Sequence, residues 1–416
     1  MKNVFDALGD ISQKVMAIVL AGGQGTRLYP LTIKRCKPAV AFGSRYRLID
    51  IPISSSLNSG IRQIAVISQY FASELNQHIA STYRLDQFQK GRFELLCPEE
   101  TSLTRVYFEG TADAVRKNLD HLLDTNSEYF LILSGDQLYN IDFRPMIQFA
   151  INTQADLVIA SLPVKENEAR RMGLLKLDEN HRIVDFYEKP SESYVLERFR
   201  LPQHHSSFET CPKYLASMGI YVFKRSALVS ILQEEGVDFG KHIIPLQLQR
   251  GKTYGFAFDG YWEDIGTIES YYQANLALTK QEACLEVYNQ DRPIYAQSVH
   301  SPSAFIGDTK IKHSILGQGS MIQAKEVSNS IIGIGTIIGQ DSIIRDSVIL
   351  GSHSPAIIGK DCLVAKTIID ESARLGDHVR LINKNHLTTY DGDGIFLRDG
   401  IIIITSGTHL PDGFTF

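Results

Sequence analysis

The stretch VMAIVLAGGQGTRLYPLTIKRCKPAV, residues 15–40, decides how the first part of the chain folds. Val15 to Leu20 is an uninterrupted apolar run with the length of a buried parallel strand. It feeds straight into Gly22, Gly23 and Gly25, where missing side chains let the backbone turn and bring its N–H groups against an anion. Arg27, Lys34, Arg35 and Lys37 follow closely. Strand, glycine loop and basic cluster together describe a cradle for a polyphosphate. The loop fits neither common phosphate motif. Gly25-Thr26-Arg27 lacks the Gly-Lys-Ser/Thr ending of a Walker loop, and Leu28 stands where a dinucleotide fingerprint needs its third glycine.

Downstream, residues 51–60 suit a short helix closed by Gly60, and Ile64 to Ile67 a second buried strand, which implies a parallel crossover. A third strand, Tyr129 to Leu133, ends at Ser134-Gly135-Asp136. Further strand signals lie at Leu157–Leu162, Gly173–Leu177, Ile183–Tyr187 and Met218–Phe223. The fold class expected is therefore α/β with a mostly parallel sheet, over residues 1–285. Ligands of such sheets bind at the carboxyl ends of the strands, where the glycine loop and Asp136 both fall.

Residues 286–416 follow another rule. Apolar residues recur every sixth position at Ile332, Ile338, Ile344 and Leu350, then Ile358 and Val364, then Ile369, Leu375 and Leu381. Small residues such as Ser330, Thr336, Ser342 and Ala373 precede them by two, and glycines mark the turns. A six-residue period is the signature of a parallel β-helix. Neighbouring apolar positions suit an outer face covered by the first domain or another subunit. Asp291 to Phe305 is the connection.

The 416 residues carry a net charge of −5, which excludes a general nucleic-acid binder and leaves the basic residues to act locally. No apolar run has the length of a membrane span, and the first fourteen residues hold no signal-peptide core. Five scattered cysteines without a C-x-x-C pair fit a reducing, cytoplasmic-type compartment rather than disulfides or structural zinc.

Four further stretches bear chemistry. Gly110 to Val115, GTADAV, opens a helix, with Thr111 as a cap and Asp113 near the positive end of its dipole. In LSGDQLY, Leu133 to Tyr139, Asp136 emerges at a strand end and is placed to hold Mg²⁺ against a phosphate. FYEKPS, Phe186 to Ser191, contributes Glu188 and Lys189. DGYWEDIGT, Asp259 to Thr267, offers Asp264 as a second carboxylate and holds the only Trp.

In fixed order, LAGGQGTRLYPLT, KRCKPAV, NSGIRQIAVISQY, GTADAVRKNLD, LSGDQLY, EKP, SMGIYVF and GYWEDIGTIESYYQANL resemble the glucose-1-phosphate adenylyltransferases, or ADP-glucose pyrophosphorylases. The likeness spans nearly the whole chain, RLINKN included, and is nearer the plant and cyanobacterial branch. It implies a glycosyltransferase-A-like domain followed by a left-handed β-helix, assembled as a homotetramer under phosphorylated-metabolite effectors. The implied reaction takes ATP and glucose 1-phosphate to ADP-glucose and pyrophosphate with Mg²⁺. By resemblance Arg27 and Lys37 neutralise the triphosphate, and Asp136 and Asp264 hold the metal. Leu20, Gly22, Gly23, Gln69, Gly110 and Thr111 line the nucleotide, while Tyr107, Gly173, Glu188, Lys189 and Ser217 take the sugar phosphate. Lys34, Arg35, Arg47 and Lys384 form the effector site.

The sequence departs from that family at three places. Gln137 replaces a histidine after the metal aspartate, Glu99 and Glu100 stand where two adenine-reading glutamines are usual, and Ser406 replaces a later activator lysine. Ionised glutamate only accepts hydrogen bonds, so adenine would have to be read differently. Three rivals remain: a uridylyl- or thymidylyltransferase, a weakly catalytic regulatory subunit, and a hexapeptide acyltransferase using His313, His353, His378 or His386. The last has no recognisable acyltransferase context, and the second is opposed by an intact set of basic and acidic cleft residues.

Overall fold

The computed structural model describes residues 14–83, 91–98, 107–201, 213–351 and 354–416. Glu99, Glu100 and His353 lie outside them. One sheet contains nine strands among these residues: β1 Val15–Ala21, β2 Gln63–Ser68, β3 Arg92–Leu96, β4 Tyr129–Ser134, β5 Leu157–Val164, β6 Gly173–Leu177, β7 Ile183–Glu188, β8 Tyr214–Lys224 and β9 Thr253–Ala257. Their order is β7-β6-β8-β4-β1-β2-β3, with β5 beside β8 and β9 beside β5. Pairing is parallel from β4 through β1 and β2 to β3, and again between β5 and β9. It turns antiparallel where β8 meets β4, β5 and β6. β3 (RFELL) and β9 (TYGFA) are short and broken by polar residues or glycine, so neither stands out in the sequence.

β1 has a parallel partner on each side and an apolar cluster on each face, which is why it reads as a continuous apolar run rather than an alternating one. Four helices bear on the cleft or on the contact between the domains: α1 Asp50–Asn58, α2 Ala72–Thr82, α3 Thr111–Lys117 and α4 Ile268–Ala277. α1 buries Ser54, Ser55 and Ser56 against the sheet. Such hydroxyls are costly to bury unless paired. Ser56 donates back to Pro52 O at 2.8 Å, and Ser54 Oγ accepts the N–H of Tyr295 at 2.8 Å. The latter bond ties the 291–305 connection down onto the first domain, as does Asn58, which donates to Pro293 O at 2.9 Å.

Residues 305–410 wind into a parallel β-helix, interrupted by an antiparallel ribbon over Thr389–Ile404. Met321 lies beside Ile337, Ile337 beside Ile357, and Ile357 beside Arg374. The hexad residues stack inside, with one exception: Ile338, Ile358 and Leu375 down one wall, Ile344, Val364 and Leu381 down the next, and Ile332 and Ile369 down the third, where Ile349 takes the inward place between them and Leu350 packs in the outer cluster instead. Successive strand residues point to opposite faces. Ile331, Val348 and Ile368 therefore project outward, where they join one apolar cluster with Tyr271, Tyr272 and Leu276 of α4. That one outer face is covered by the first domain. A hydroxyl ladder holds one corner, with Ser347 N–H donating to Ser330 Oγ at 3.1 Å and Thr367 N–H to Ser347 Oγ at 3.3 Å.

α4 is the keystone of this contact. Thr267 caps its start by accepting from Ser270 N–H at 3.1 Å. Tyr271 donates to Ala41 O at 2.6 Å, and Tyr272 to Asp346 O in the β-helix at 2.5 Å. Beside it, the buried guanidinium of Arg35 reaches Asp370 Oδ1 at 2.8 Å, Glu74 Oε2 of α2 at 3.6 Å and Glu371 Oε2 at 3.8 Å. The four described cysteines are free, and no described helix is long and apolar enough to cross a membrane.

Removing one partner of a buried ion cluster strands the charges that remain. Arg35→Ala is expected to lower stability by about 3–5 kcal/mol, seen as a drop in the urea and thermal midpoints. An unchanged midpoint would show that the cluster does not hold the two domains together.

Candidate functional site

A cleft of about 650 Å³ opens at the carboxyl ends of β1, β2 and β4, a size suited to a nucleotide-scale ligand. Its first wall is the glycine loop. Gly25 has φ +66°, and a side chain there would press on Lys37 Cβ at 2.9 Å and Thr32 Cγ2 at 3.0 Å. That glycine serves the protein's own turn. Gly23 is different: nothing in the protein lies within 4 Å of where its Cβ would be, so its bareness keeps the cleft open. Arg27 follows in a short 3-10 turn, Thr26–Leu28, and Lys37 begins a second, Lys37–Ala39.

The floor carries two carboxylates. Gly135 N–H donates to Leu20 O at 2.9 Å, which drops Asp136 beside the end of β1. Residues Gln137–Tyr139 pair antiparallel with Trp262–Asp264, with Asp264 opposite Gln137, and this ribbon brings Asp264 next to Asp136. Lys37 Nζ stands between them, 2.5 Å from Asp136 Oδ2 and 3.8 Å from Asp264 Oδ1. Burial and the Asp136 charge hold the Asp264 carboxyl above its ordinary range, against the pull of Lys37, Arg27 and Lys189. Gln137 donates to Met218 O at 2.8 Å and accepts from the Trp262 indole at 3.3 Å, so it braces the ribbon on β8. The lone Trp is thereby a support for Asp264.

The far wall is built around Glu188 and Lys189, at the end of β7. A side chain on Gly173 or on Gly240 would meet Glu188 Oε2 at 2.6 Å, so two glycines make the slot that the carboxylate fills. Burial raises the Glu188 carboxyl above its usual range, opposed by Lys189 at 3.3 Å. The third side is the rim ahead of α3. Gln69 makes a two-way pair with the Phe108 backbone, accepting its N–H and donating to its O at 3.3 Å. Thr111 Oγ1 accepts from Phe239 N–H at 3.1 Å and donates to Asp238 at 3.3 Å.

Leu20, Gly22, Gly23, Arg27, Lys37, Gln69, Gly110, Thr111, Asp136, Glu188 and Lys189 thus share one cleft. Four residues expected there do not line it. Tyr107 is exposed outside, with its carbonyl held by Lys117 at 2.7 Å. Gly173 lies behind Glu188, as part of the slot that holds that carboxylate. Ser217 is buried at an irregularity in β8, where its Oγ accepts from Gly219 N–H at 3.2 Å, and Gly219 and Tyr221 line the cleft instead. Asp264 sits at the edge, beside Gly266. Asp238, Phe239 and Gly240 also line the cleft. Their only signal was the stretch VDFG ahead of a helical run, too short to interpret alone.

Of the residues expected to bind an effector, Arg35 and Arg47 meet on Glu74. Arg35 is committed to Asp370, Glu371 and Glu74. Arg47 binds Ala39 O and Glu74 Oε1, the latter at 2.6 Å. Lys34 and Arg35 line a crevice of about 40 Å³ with Thr405 and Ser406, and Lys384, which is exposed, does not line it.

Among the described residues no three His, Cys, Asp or Glu side chains gather to hold a metal. Asp136 and Asp264 nonetheless already share one cation, the Lys37 ammonium. A pair of oxygen ligands beside a phosphate cradle fits Mg²⁺, which takes one or two carboxylates and completes its shell with substrate oxygens and water.

Two family models match the chain. The nucleotidyl transferase model covers residues 16–281, and the GLGC left-handed parallel β-helix domain covers residues 300–415. The chain belongs to the nucleotidyl transferase family and has the two-domain architecture of glucose-1-phosphate adenylyltransferase.

Proposed function

We propose that this nucleotidyltransferase joins ATP and α-D-glucose 1-phosphate to give ADP-glucose and pyrophosphate, for synthesis of a glycogen- or starch-type glucan. The observation that supports it most is the opposition, across one cleft, of the Arg27–Lys37 cradle and the Glu188–Lys189 wall, with Asp136 and Asp264 beside them. A triphosphate suits the first side, and a phosphorylated polyol the second.

The chemistry asks little of the protein's acids and bases. A phosphate oxygen of glucose 1-phosphate, already anionic near neutral pH, attacks the α-phosphorus of ATP. The new P–O bond forms as the bond to the β-phosphate oxygen breaks, and pyrophosphate leaves with that electron pair. Catalysis is then alignment and charge neutralisation. Arg27 and Lys37 face the triphosphate and the departing pyrophosphate. Lys189 holds the sugar phosphate, and Glu188, locked between Gly173 and Gly240, accepts from sugar hydroxyls. Gln69 and the Gly110–Thr111 backbone shape the nucleotide side. Asp136 and Asp264 would hold Mg²⁺, which supplies Lewis-acid neutralisation of phosphate oxygens when bound. Assembly as a homotetramer responsive to phosphorylated metabolites belongs to the same proposal. It draws support from the exposed apolar residues Phe305, Met321 and Ile337, aligned along one face of the β-helix.

Pyrophosphate release with Mg²⁺ and glucose 1-phosphate, offering ATP, UTP, dTTP, GTP and CTP separately, should show preference for ATP. Preference for UTP or dTTP would keep the mechanism and transfer the protein to the uridylyl- or thymidylyltransferases. Two variants test the roles. Asp136→Asn should lower kcat by about 100-fold or more with a small effect on KM, while Lys189→Ala should raise the KM for glucose 1-phosphate by about tenfold or more. Near-normal kinetics in both would sink the assignments.

A further inference from the structure

Helix α3 touches both sides of the cleft. Its N-terminal residues belong to the cleft rim, with Ala112 and Asp113 N–H donating to Val237 O at 2.9 and 3.1 Å. At its other end, Arg116 turns away from the cleft. Its Nε donates to Leu232 O at 2.8 Å, and its Nη2 to Glu234 O at 2.9 Å and Gly236 O at 2.7 Å. One planar guanidinium thus satisfies three carbonyls of a loop that follows the helix Arg225–Ile231. That loop runs directly into Asp238, Phe239 and Gly240, and Gly240 is one wall of the Glu188 slot.

The nucleotide rim has further ties besides this bond. They are Gln69 on Phe108, Asp113 Oδ2 accepting from Glu109 N–H at 2.9 Å, and Lys117 on Tyr107 O, while Arg116 Nη1 also lies 3.6 Å from Asp113 Oδ1 and Thr111 bonds Asp238 and Phe239 of the loop. We propose that Arg116 is a positioning residue for the sugar-phosphate half of the cleft, acting through the 232–240 loop on Asp238, Gly240 and so on Glu188. The identity of the ligand rests on the proposed function; the loop-holding role does not. A lysine at 116 keeps the charge but lacks the planar fork that spans three acceptors, so it replaces the guanidinium only in part.

The test combines hydrogen–deuterium exchange with direct titration of full-length wild type, Arg116→Ala and Arg116→Lys. In Arg116→Ala the amides of residues 233–242 should exchange about tenfold or more faster, with those of β1 unchanged. Glucose 1-phosphate should bind about tenfold or more weakly and ATP no more than about threefold more weakly, with Arg116→Lys between and added methylguanidinium restoring affinity. Unchanged exchange in that loop, or faster exchange spread evenly over the domain with both ligands weakened alike, would overturn the proposal. If the wild type binds no glucose 1-phosphate, the proposed substrate fails, while the exchange comparison still decides the role of Arg116.

Discussion

The parallel pairing of β1 with β4 sets everything else in the cleft. Leu20 lies opposite Ser134, and the next amide, that of Gly135, closes on the Leu20 carbonyl. Two strand ends therefore stop side by side at one edge of the sheet. One continues as the glycine loop and the other as Asp136. Any slip of register would carry the basic cradle away from the carboxylate that it faces, and would turn the buried face of β1 toward the wrong side of the sheet. The apolar clusters on both faces make that slip prohibitive, so the fold guards the geometry of the site with its own core.

The segment from Lys34 to Lys37 carries the same economy across the domain boundary. Arg35 is sunk in carboxylates contributed by the β-helix and by α2, and Lys37, two residues on, points to Asp136. Burial lowers the tendency of the Arg35 guanidinium to stay charged, but Asp370, Glu371 and Glu74 together overcome it and hold it firmly protonated. The β-helix is thus more than an appendage. Its Asp370 grips the strand of chain on which a cleft lysine rides, while Tyr272 of α4 binds it from the side of Asp264.

Much of this was legible in the sequence because it rests on local rules. A glycine loop after an apolar run, and a six-residue period, report backbone geometry set by neighbouring residues, although the period slips by one at Ile349. What stayed hidden depends on distant pairing. Gln137 reads as a departure from a family pattern until its two partners, Met218 and Trp262, are seen. Ser217 reads as a sugar contact, yet the irregularity in β8 hands that place to Gly219 and Tyr221. Arg35 belongs to the same basic cluster as Lys37, and only the fold shows that one is committed to the β-helix and the other to the cleft. Charge in a sequence reveals a site's neighbourhood but not which member faces the ligand.

The balance of charge in the cleft bears on the divalent cation proposed for the reaction. Lys37 already faces Asp136 and Asp264, and Lys189 already faces Glu188. Without ligand the two lysines offset only part of these three carboxylates, and Glu109 and Asp238 also line the cleft. A triphosphate and a sugar phosphate bring several more negative charges than the remaining cation, Arg27, can offset among the described cleft residues. For Lys37 to turn toward phosphate, something else positive must take its place between the two aspartates. Mg²⁺ is of the right hardness to do so and would arrive with the triphosphate itself. On this view Lys37 is shared between two tasks in turn, counter-ion to the carboxylates before binding and counter-ion to the phosphates after it.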